Sequence, residues 1–175
     1  MERVPCIEEK DYAELAPLIA RIRAERGGRL PNLYKVLLNS APVMEGWLTM
    51  FSAIRHKSKL RGRYRELAIM RVAILNGADY EYRAHLQIAL KEGLSAEQVD
   101  ALMAWQVSPL FDAAERAVLA YTDTMTTQVQ VPDELFAEVQ KHFDAQERVE
   151  LTATIAGYNM VSRTLVALQV PHETT

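Results

Sequence analysis

Apolar residues recur every three or four positions along most of this chain, and strict alternation of apolar and polar residues is nearly absent. A spacing of about 3.6 residues places apolar side chains on one face of an α-helix, whereas strict alternation is typical of strands. The segment after Pro42 shows the helical spacing at Met44, Trp47, Leu48, Phe51 and Ile54. The sequence therefore predicts an all-α fold.

Proline, glycine and capping residues predict where these helices begin and end. Three pairs have the spacing of a capping box: Ser95 with Gln98, Asp112 with Glu115, and Asp144 with Glu147. The predicted helices run from about Asp11 to Gly27, from Pro31, from Pro42, from about Glu66 to Asn76, from Asp79 to Gly93, from Ser95 to about Trp105, from Asp112 to about Gln128, from Pro132, and from Asp144 to before Pro171. Residues 57–63 form a basic linker, and no linker is long enough to separate domains, so we predict one domain spanning residues 1–175.

The stretch from Glu66 to His85, ELAIMRVAILNGADYEYRAH, combines two carboxylates and an imidazole. Glu66 begins a mostly apolar helix, where an unpaired carboxylate would be costly. After a helix break at Asn76 and Gly77, Asp79 can cap a second helix on which Glu81 and His85, four positions apart, share a face. Imidazole moves protons near neutral pH, and a nearby carboxylate orients it, so this stretch is the candidate for acid–base catalysis.

Structural roles compete with catalysis for each of these three residues. A histidine and a glutamate at helical spacing also form surface ion pairs or satisfied polar contacts in a core. Glu66 can instead compensate the helix dipole from the first turn of its helix. The spacing alone leaves both interpretations open.

Residues near this stretch and in the last helix could line a substrate site. Tyr80 and Tyr82 flank Glu81 and either offer phenol groups or pack as aromatic side chains. Arg83 could bind a substrate carboxylate or be solvated. In the last helix, Asn159 and Arg163 are four positions apart and could contribute to a site, to a subunit contact or to hydrogen bonds within the fold.

Charge and cysteine content narrow the classes of function. Twenty basic and 23 acidic side chains give a net charge of −3 without a basic cluster, so a nucleic-acid partner is not expected. A single cysteine, Cys6, excludes an internal disulfide and any multi-cysteine metal site. The charged N-terminal residues and the lack of a long apolar run predict a cytoplasmic protein without a membrane partner.

Motifs for other chemistry are absent from the sequence. It has no glycine-rich phosphate loop, nucleophile elbow or dinucleotide fingerprint. His56, His142 and His172 lie in polar surroundings and do not form a spacing such as His-x-x-x-His, so we predict no metal site.

Residues 65–102, RELAIMRVAILNGADYEYRAHLQIALKEGLSAEQVDAL, resemble the core signature of the carboxymuconolactone decarboxylase family, which includes the alkylhydroperoxidase D group. The resemblance extends upstream to LPNLYKVLLNSAPVMEGW and downstream to ELTATIAGYNMVSRTLVAL, with the core signature at about residues 60–104. It implies an all-helical, alkylhydroperoxidase D-like bundle that assembles as a homotrimer or homohexamer, with its site near subunit contacts.

In the alkylhydroperoxidase D branch, a glutamate precedes a Cys-x-x-Cys pair and a histidine, which together reduce peroxides through a disulfide. Glu66 and His85 match the glutamate and the histidine of that motif. The two cysteine positions fall on Ala78 and Glu81, and Cys6 alone cannot run a dithiol cycle. A thiol peroxidase of that kind is therefore excluded.

The remaining residues resemble the decarboxylase branch, in which an aromatic–glutamate–aromatic run precedes the histidine, as Tyr80, Glu81 and Tyr82 do here. That branch removes CO2 from a small carboxylated lactone and requires no metal or organic cofactor. The resemblance implies that His85 shuttles a proton, that Glu81 or Glu66 orients it, and that Arg83 or Arg163 binds a carboxylate. A small organic acid from aromatic-compound breakdown is the expected substrate, and the alternative is a binding or assembly protein that keeps the fold without catalysis.

Overall fold

The computed structural model describes residues 3–8, 10 and 12–173. Every regular element in these residues is helical, which confirms the all-α prediction. The α-helices are α1 Ala16–Glu25, α2 Asn32–Leu37, α3 Ala41–His56, α4 Gly62–Leu75, α5 Asp79–Lys91, α6 Ala96–Ala101, α7 Ala113–Thr127, α8 Asp133–Gln140 and α9 Ala145–Leu168. Segments Ala13–Leu15 and Leu102–Val107 are 3₁₀ helices. Within the described ranges, no helix has both the length and the apolar character needed to cross a membrane.

The chain divides into two compact units, Met1–Lys57 with Leu165–Thr175, and Ser58–Thr164. The single-domain organisation of residues 1–175 stays a prediction. In the first unit, α3 packs against α1 and α2 around fully buried side chains such as Ile19, Met44 and Leu48.

In the second unit, α4 is the central helix and packs against α5 and α7. Nine consecutive residues of α4, 65–73, are buried, so this helix is enclosed on all sides. Arg71, one of these residues, pairs with Asp123 of α7 through two contacts, Nε to Oδ1 at 2.5 Å and Nη2 to Oδ2 at 2.9 Å. Trp105 Nε1 donates to the same carboxylate at 3.0 Å, so Arg71 and Asp123 connect α4 and α7 to the 3₁₀ segment Leu102–Val107.

The three predicted capping boxes are confirmed. The side chains of Ser95 and Asp112 accept from the backbone N–H three residues later, and the Gln98 and Glu115 side chains accept in return. Asp144 and Glu147 exchange the same two hydrogen bonds, each at 3.0 Å.

Several predicted boundaries shift. Asp79 does not cap α5, because Ala78 is the N-cap residue and Asp79 is already helical. Pro31 and Pro132 are N-cap residues rather than first helical residues. The linker before α4 ends at Arg61, and the predicted helix from Ser95 to Trp105 becomes α6 followed by a 3₁₀ segment. Asp11, where the first helix was predicted to begin, lies outside the described residues.

Candidate active site

The turn between α4 and α5 brings the predicted catalytic residues together. Asn76 is the C-cap of α4, and Gly77 follows with a left-handed φ of +62°, which glycine adopts without strain. The N–H groups of Gly77 and Ala78 donate to the carbonyls of Ile74 and Ala73, at 3.1 and 2.9 Å, as in a Schellman motif. The chain then reverses, and α5 packs along α4.

His85 of α5 lies between two carboxylates. Its Nδ1 is 2.6 Å from Oε2 of Glu66 on α4, and its Nε2 is 3.1 Å from Oε1 of Glu81 on α5. Glu66, Glu81 and His85 are 1%, 4% and 3% exposed. Two alternatives from the sequence are therefore wrong: the Glu81–His85 pair is not a surface pair, and α4 has no acidic residue in its first turn, so Glu66 does not serve the helix dipole from there.

Two further charged residues, which the sequence analysis missed, extend this cluster. Arg65 Nε donates to the second oxygen of Glu66, Oε1, at 3.2 Å, and Arg65 Nη2 is 3.5 Å from Oε1 of Glu92. Arg65 is buried, whereas the Glu92 side chain is 38% exposed. The one available signal was spacing, because Glu92 follows His85 by seven positions, two helical turns, along α5.

Electrostatics keep the imidazole charged. Burial alone would lower the pKa of His85, but the carboxylates of Glu81 and Glu66 outweigh it and raise the pKa from its ordinary 6.5 to about 9. Burial would raise the pKa of Glu66, but hydrogen bonding to His85 and the charge of Arg65 outweigh it and hold that pKa below its usual range. Near neutral pH, His85 is therefore an imidazolium with a proton on each ring nitrogen.

Tyr158 of α9 completes the surroundings of the imidazole. It is 2% exposed, and its ring stands edge-on to the His85 ring, with centroids 5.2 Å apart and an interplanar angle of 88°. This contact covers the imidazole with an aromatic ring and limits the access of water to it.

The residues predicted to bind substrate near α5 lie around this cluster rather than in it. Tyr80 and Tyr82 are half-buried, and burial and the charge of Asp100 raise the pKa of Tyr82. The Arg83 side chain is 70% exposed and pairs with Asp79, Nε to Oδ2, at 2.7 Å. Their roles in substrate binding stay predictions.

Asn159 and Arg163 lie in different environments although both are on α9. Asn159 is buried, accepts from Asn76 Nδ2 at 2.9 Å and donates to Thr126 Oγ1 at 2.9 Å and to the carbonyl of Ile155 at 3.0 Å. These contacts tie the end of α4 to α7 and α9. Arg163 is exposed, and its role also stays a prediction.

The positions that resemble the peroxidase cysteines serve other purposes here. Ala78 is the buried N-cap residue of α5, and Glu81 contacts His85. Among the described residues, no group of three or more histidine, cysteine, aspartate or glutamate side chains could hold a metal ion. Glu66 and Glu81 each contact one ring nitrogen of His85.

The cluster lies within the part of the chain that matches a known protein family. The sequence profile of the carboxymuconolactone decarboxylase family matches residues 41–124, which include α4, α5 and the whole Glu66–His85 stretch. The uncharacterized protein YnjA of Escherichia coli is 30% identical over 146 residues, which cover 82% of this chain and 75% of YnjA.

Solved structures show the same fold. An uncharacterized peroxidase-related protein from Ralstonia eutropha, described as an alkylhydroperoxidase AhpD core, superposes with a TM-score of 0.81 at 19% identity, covering 98% of this chain and 92% of that protein. A cysteine-to-alanine variant of the debrominase Bmp8 in complex with 2,3,4-tribromopyrrole also has a TM-score of 0.81, at 21% identity, covering 98% of this chain and 91% of Bmp8. Identities this low establish the shared fold alone.

Proposed function

We propose that this chain, which belongs to the carboxymuconolactone decarboxylase family, is an acid–base enzyme that uses no cofactor. The observation that carries the proposal is the buried imidazole of His85 between the carboxylates of Glu66 and Glu81. A buried, charged histidine is costly for stability unless it is paired, and such perturbed groups cluster at functional sites.

The two sides of His85 differ in how firmly they are held. Glu66 makes the shorter contact and is itself fixed by Arg65. Glu81 makes the longer contact, 3.1 Å, and lies on the same helix as His85. We therefore assign proton delivery to Nε2, with Glu81 moving aside, while Glu66 holds Nδ1 and stabilises the charged ring.

The reaction we propose is a decarboxylation. The bond between the carboxylate carbon and the ring of the substrate breaks, CO2 leaves, and the electron pair is delocalised into the conjugated system. His85 then gives its Nε2 proton to the substrate carbon and regains a proton from water through Glu81. A donor with a pKa of about 9 remains protonated at pH 7, yet it can still protonate a carbanion, because the carbanion is a far stronger base.

We propose a small carboxylated lactone, or another acid from aromatic-compound breakdown, as the substrate. The cluster itself has three carboxylates, Glu66, Glu81 and Glu92, against the two cations His85 and Arg65. A substrate carboxylate therefore needs a cation from outside the cluster, and Arg83 and Arg163 are our candidates. We also propose that the enzyme is cytoplasmic and that it assembles as a homotrimer or homohexamer. Light scattering of the purified protein measures the number of subunits.

A screen of carboxylated lactones and aromatic-acid catabolites tests the enzyme proposal. CO2 release is measured with the wild type, with His85→Gln, and with His142→Gln as a matched control at an exposed histidine. We expect turnover of one compound class by the wild type and His142→Gln but not by His85→Gln. Equal turnover by all three proteins would contradict the role of His85.

One observation favours a second function, a binding or assembly protein without catalysis. Both ring nitrogens of His85 and both carboxylate oxygens of Glu66 already have partners within the chain. If this is the function, ligands from the screen raise the melting temperature without releasing CO2, and His85→Gln lowers the stability of the protein. A dithiol peroxidase remains disfavoured, because Cys6 is the single cysteine in the sequence.

A further inference from the structure

The N-terminus of α4 lacks a carboxylate of its own. Its first residues, Gly62, Arg63, Tyr64 and Arg65, include two arginines and no acidic residue. A helix N-terminus favours negative charge and disfavours positive charge. Carboxylates from other helices reach this end: Glu115 of α7 pairs with Arg63, and the carboxylate of Glu92, the C-cap residue of α5, lies next to Gly62.

Gly62 provides the space for that carboxylate. A methyl group added to Gly62 would overlap the carboxylate of Glu92, whereas the space around Gly46 of α3 is open. Glu92 also reaches Arg65, with Oε1 3.5 Å from Nη2. The Glu92 carboxylate therefore lies against the start of α4 on one side and reaches Arg65 on the other.

We propose that Glu92 is a positioning residue for His85 and acts through Arg65 and Glu66. This role of Glu92 rests on the proposed function only in taking His85 as the catalytic residue; the contacts of Glu92 and Arg65 do not depend on it. Arg65 lies between two carboxylates, with Nε on Glu66 and Nη2 on Glu92. Because Glu92 engages Nη2, Glu66 receives one contact from Arg65, and its Oε2 is left for His85.

Without Glu92, the guanidinium of Arg65 would be free to turn onto both oxygens of Glu66. Arginine and carboxylate groups prefer this two-contact geometry, which Arg71, also on α4, adopts with Asp123 of α7. Glu66 would then bind His85 more weakly, and the imidazole would lose part of what holds its proton. Among the described residues, Glu66 from α4, Glu81 from α5 and the ring of Tyr158 from α9 contact His85, and Arg65 acts on it through Glu66.

The experiment is an NMR titration of the histidine ring signals in the absence of substrate. The chain has four histidines, and the His85 signal is the one missing from His85→Gln. We expect the pKa of His85 to fall by about one unit, a tenfold loss of proton affinity, in both Glu92→Ala and Gly62→Ala. The double variant should show no further fall, because both changes remove the same carboxylate from the same place.

Two matched variants serve as controls. Gly46→Ala adds a methyl group in open space, and Glu134→Ala removes an exposed carboxylate from α8. Both should leave the His85 titration unchanged. An unchanged titration in Glu92→Ala would overturn the proposal, and so would an undiminished effect of Gly62→Ala once Glu92 is absent. Since no substrate is present, these results are independent of whether His85→Gln loses turnover.

Discussion

Arg65 and Arg71 lie on the same helix, α4, and both are buried, yet their partners differ in kind. Arg71 makes two contacts to the single carboxylate of Asp123, at 2.5 and 2.9 Å. Arg65 is shared between Glu66 and Glu92 at 3.2 and 3.5 Å, and Glu66 continues to the titratable His85. The Arg71–Asp123 pair, which we call the clamp, has only structural contacts. The contacts of Arg65 instead form a series of charged groups that ends at a titratable histidine and can respond to its protonation.

The largest expected difference between the two clusters is in catalysis. We predict that His85→Gln lowers kcat/KM by about 10³-fold, within the range that general acid–base catalysis contributes. Trp105→Phe, which changes the Arg71–Asp123 cluster, should keep the activity of the wild type per folded molecule. Steady-state kinetics on a substrate from the screen measures both, and an equal loss in the two variants would remove the distinction.

The next largest effect is on stability. Arg71→Met leaves Asp123 without its charge partner. Because the Asp123 side chain is 22% exposed, we expect a loss of about 3 kcal/mol of unfolding free energy, the lower end of the range for a buried ion pair. Urea denaturation followed by circular dichroism measures this loss. The His85 titration of the folded variant should match that of the wild type, and a shifted titration would show that the two clusters are coupled.

Of the two clusters, the one around His85 should give stability a pH dependence. The pKa of His85 is about 9 in the folded protein and 6.5 in the unfolded chain. Its contribution to the free energy of unfolding is therefore complete below pH 6.5 and is lost as the pH rises to 9. We expect a loss of about 3 kcal/mol over this window, measured as unfolding free energy at several pH values. The opposite shift of Glu66 acts on the acid side, where protonation of its carboxyl lowers stability. In His85→Gln the alkaline loss should disappear; its persistence would assign the effect to other groups.

The smallest effect concerns a single hydrogen bond of the clamp. Trp105→Phe removes the Nε1 donor to Asp123 and should cost about 1 kcal/mol of unfolding free energy. Thermal denaturation provides the measurement. A cost near that of Arg71→Met would mean that the indole, rather than the ion pair, holds the clamp together.

Local signals account for what the sequence predicted well. The capping boxes at Ser95, Asp112 and Asp144 depend on residues three positions apart, and all three are present. Asp79 was assigned as a cap by the same reasoning, but the turn at Gly77 places Ala78 at the N-cap.

Contacts between distant segments account for what the sequence did not predict. Glu66 and His85 were recognised because a helix reversal was visible between them. Arg65 and Glu92 are 27 positions apart, and their contact depends on how α5 lies along α4. Likewise, Asn159 gave no sign in the sequence that Asn76 and Thr126 are its partners.

The turn at Gly77 also determines on which side of α5 the His85 side chain lies. His85 lies eight residues after Gly77, and each residue turns an α-helix by about 100°. One residue inserted between Gly77 and Asp79, and taken up as an extra residue of α5, would therefore rotate the imidazole by about 100° around the helix axis relative to the turn. We therefore expect a one-residue insertion or deletion here to displace His85 from Glu66, so that this turn must preserve its length as well as the glycine at position 77.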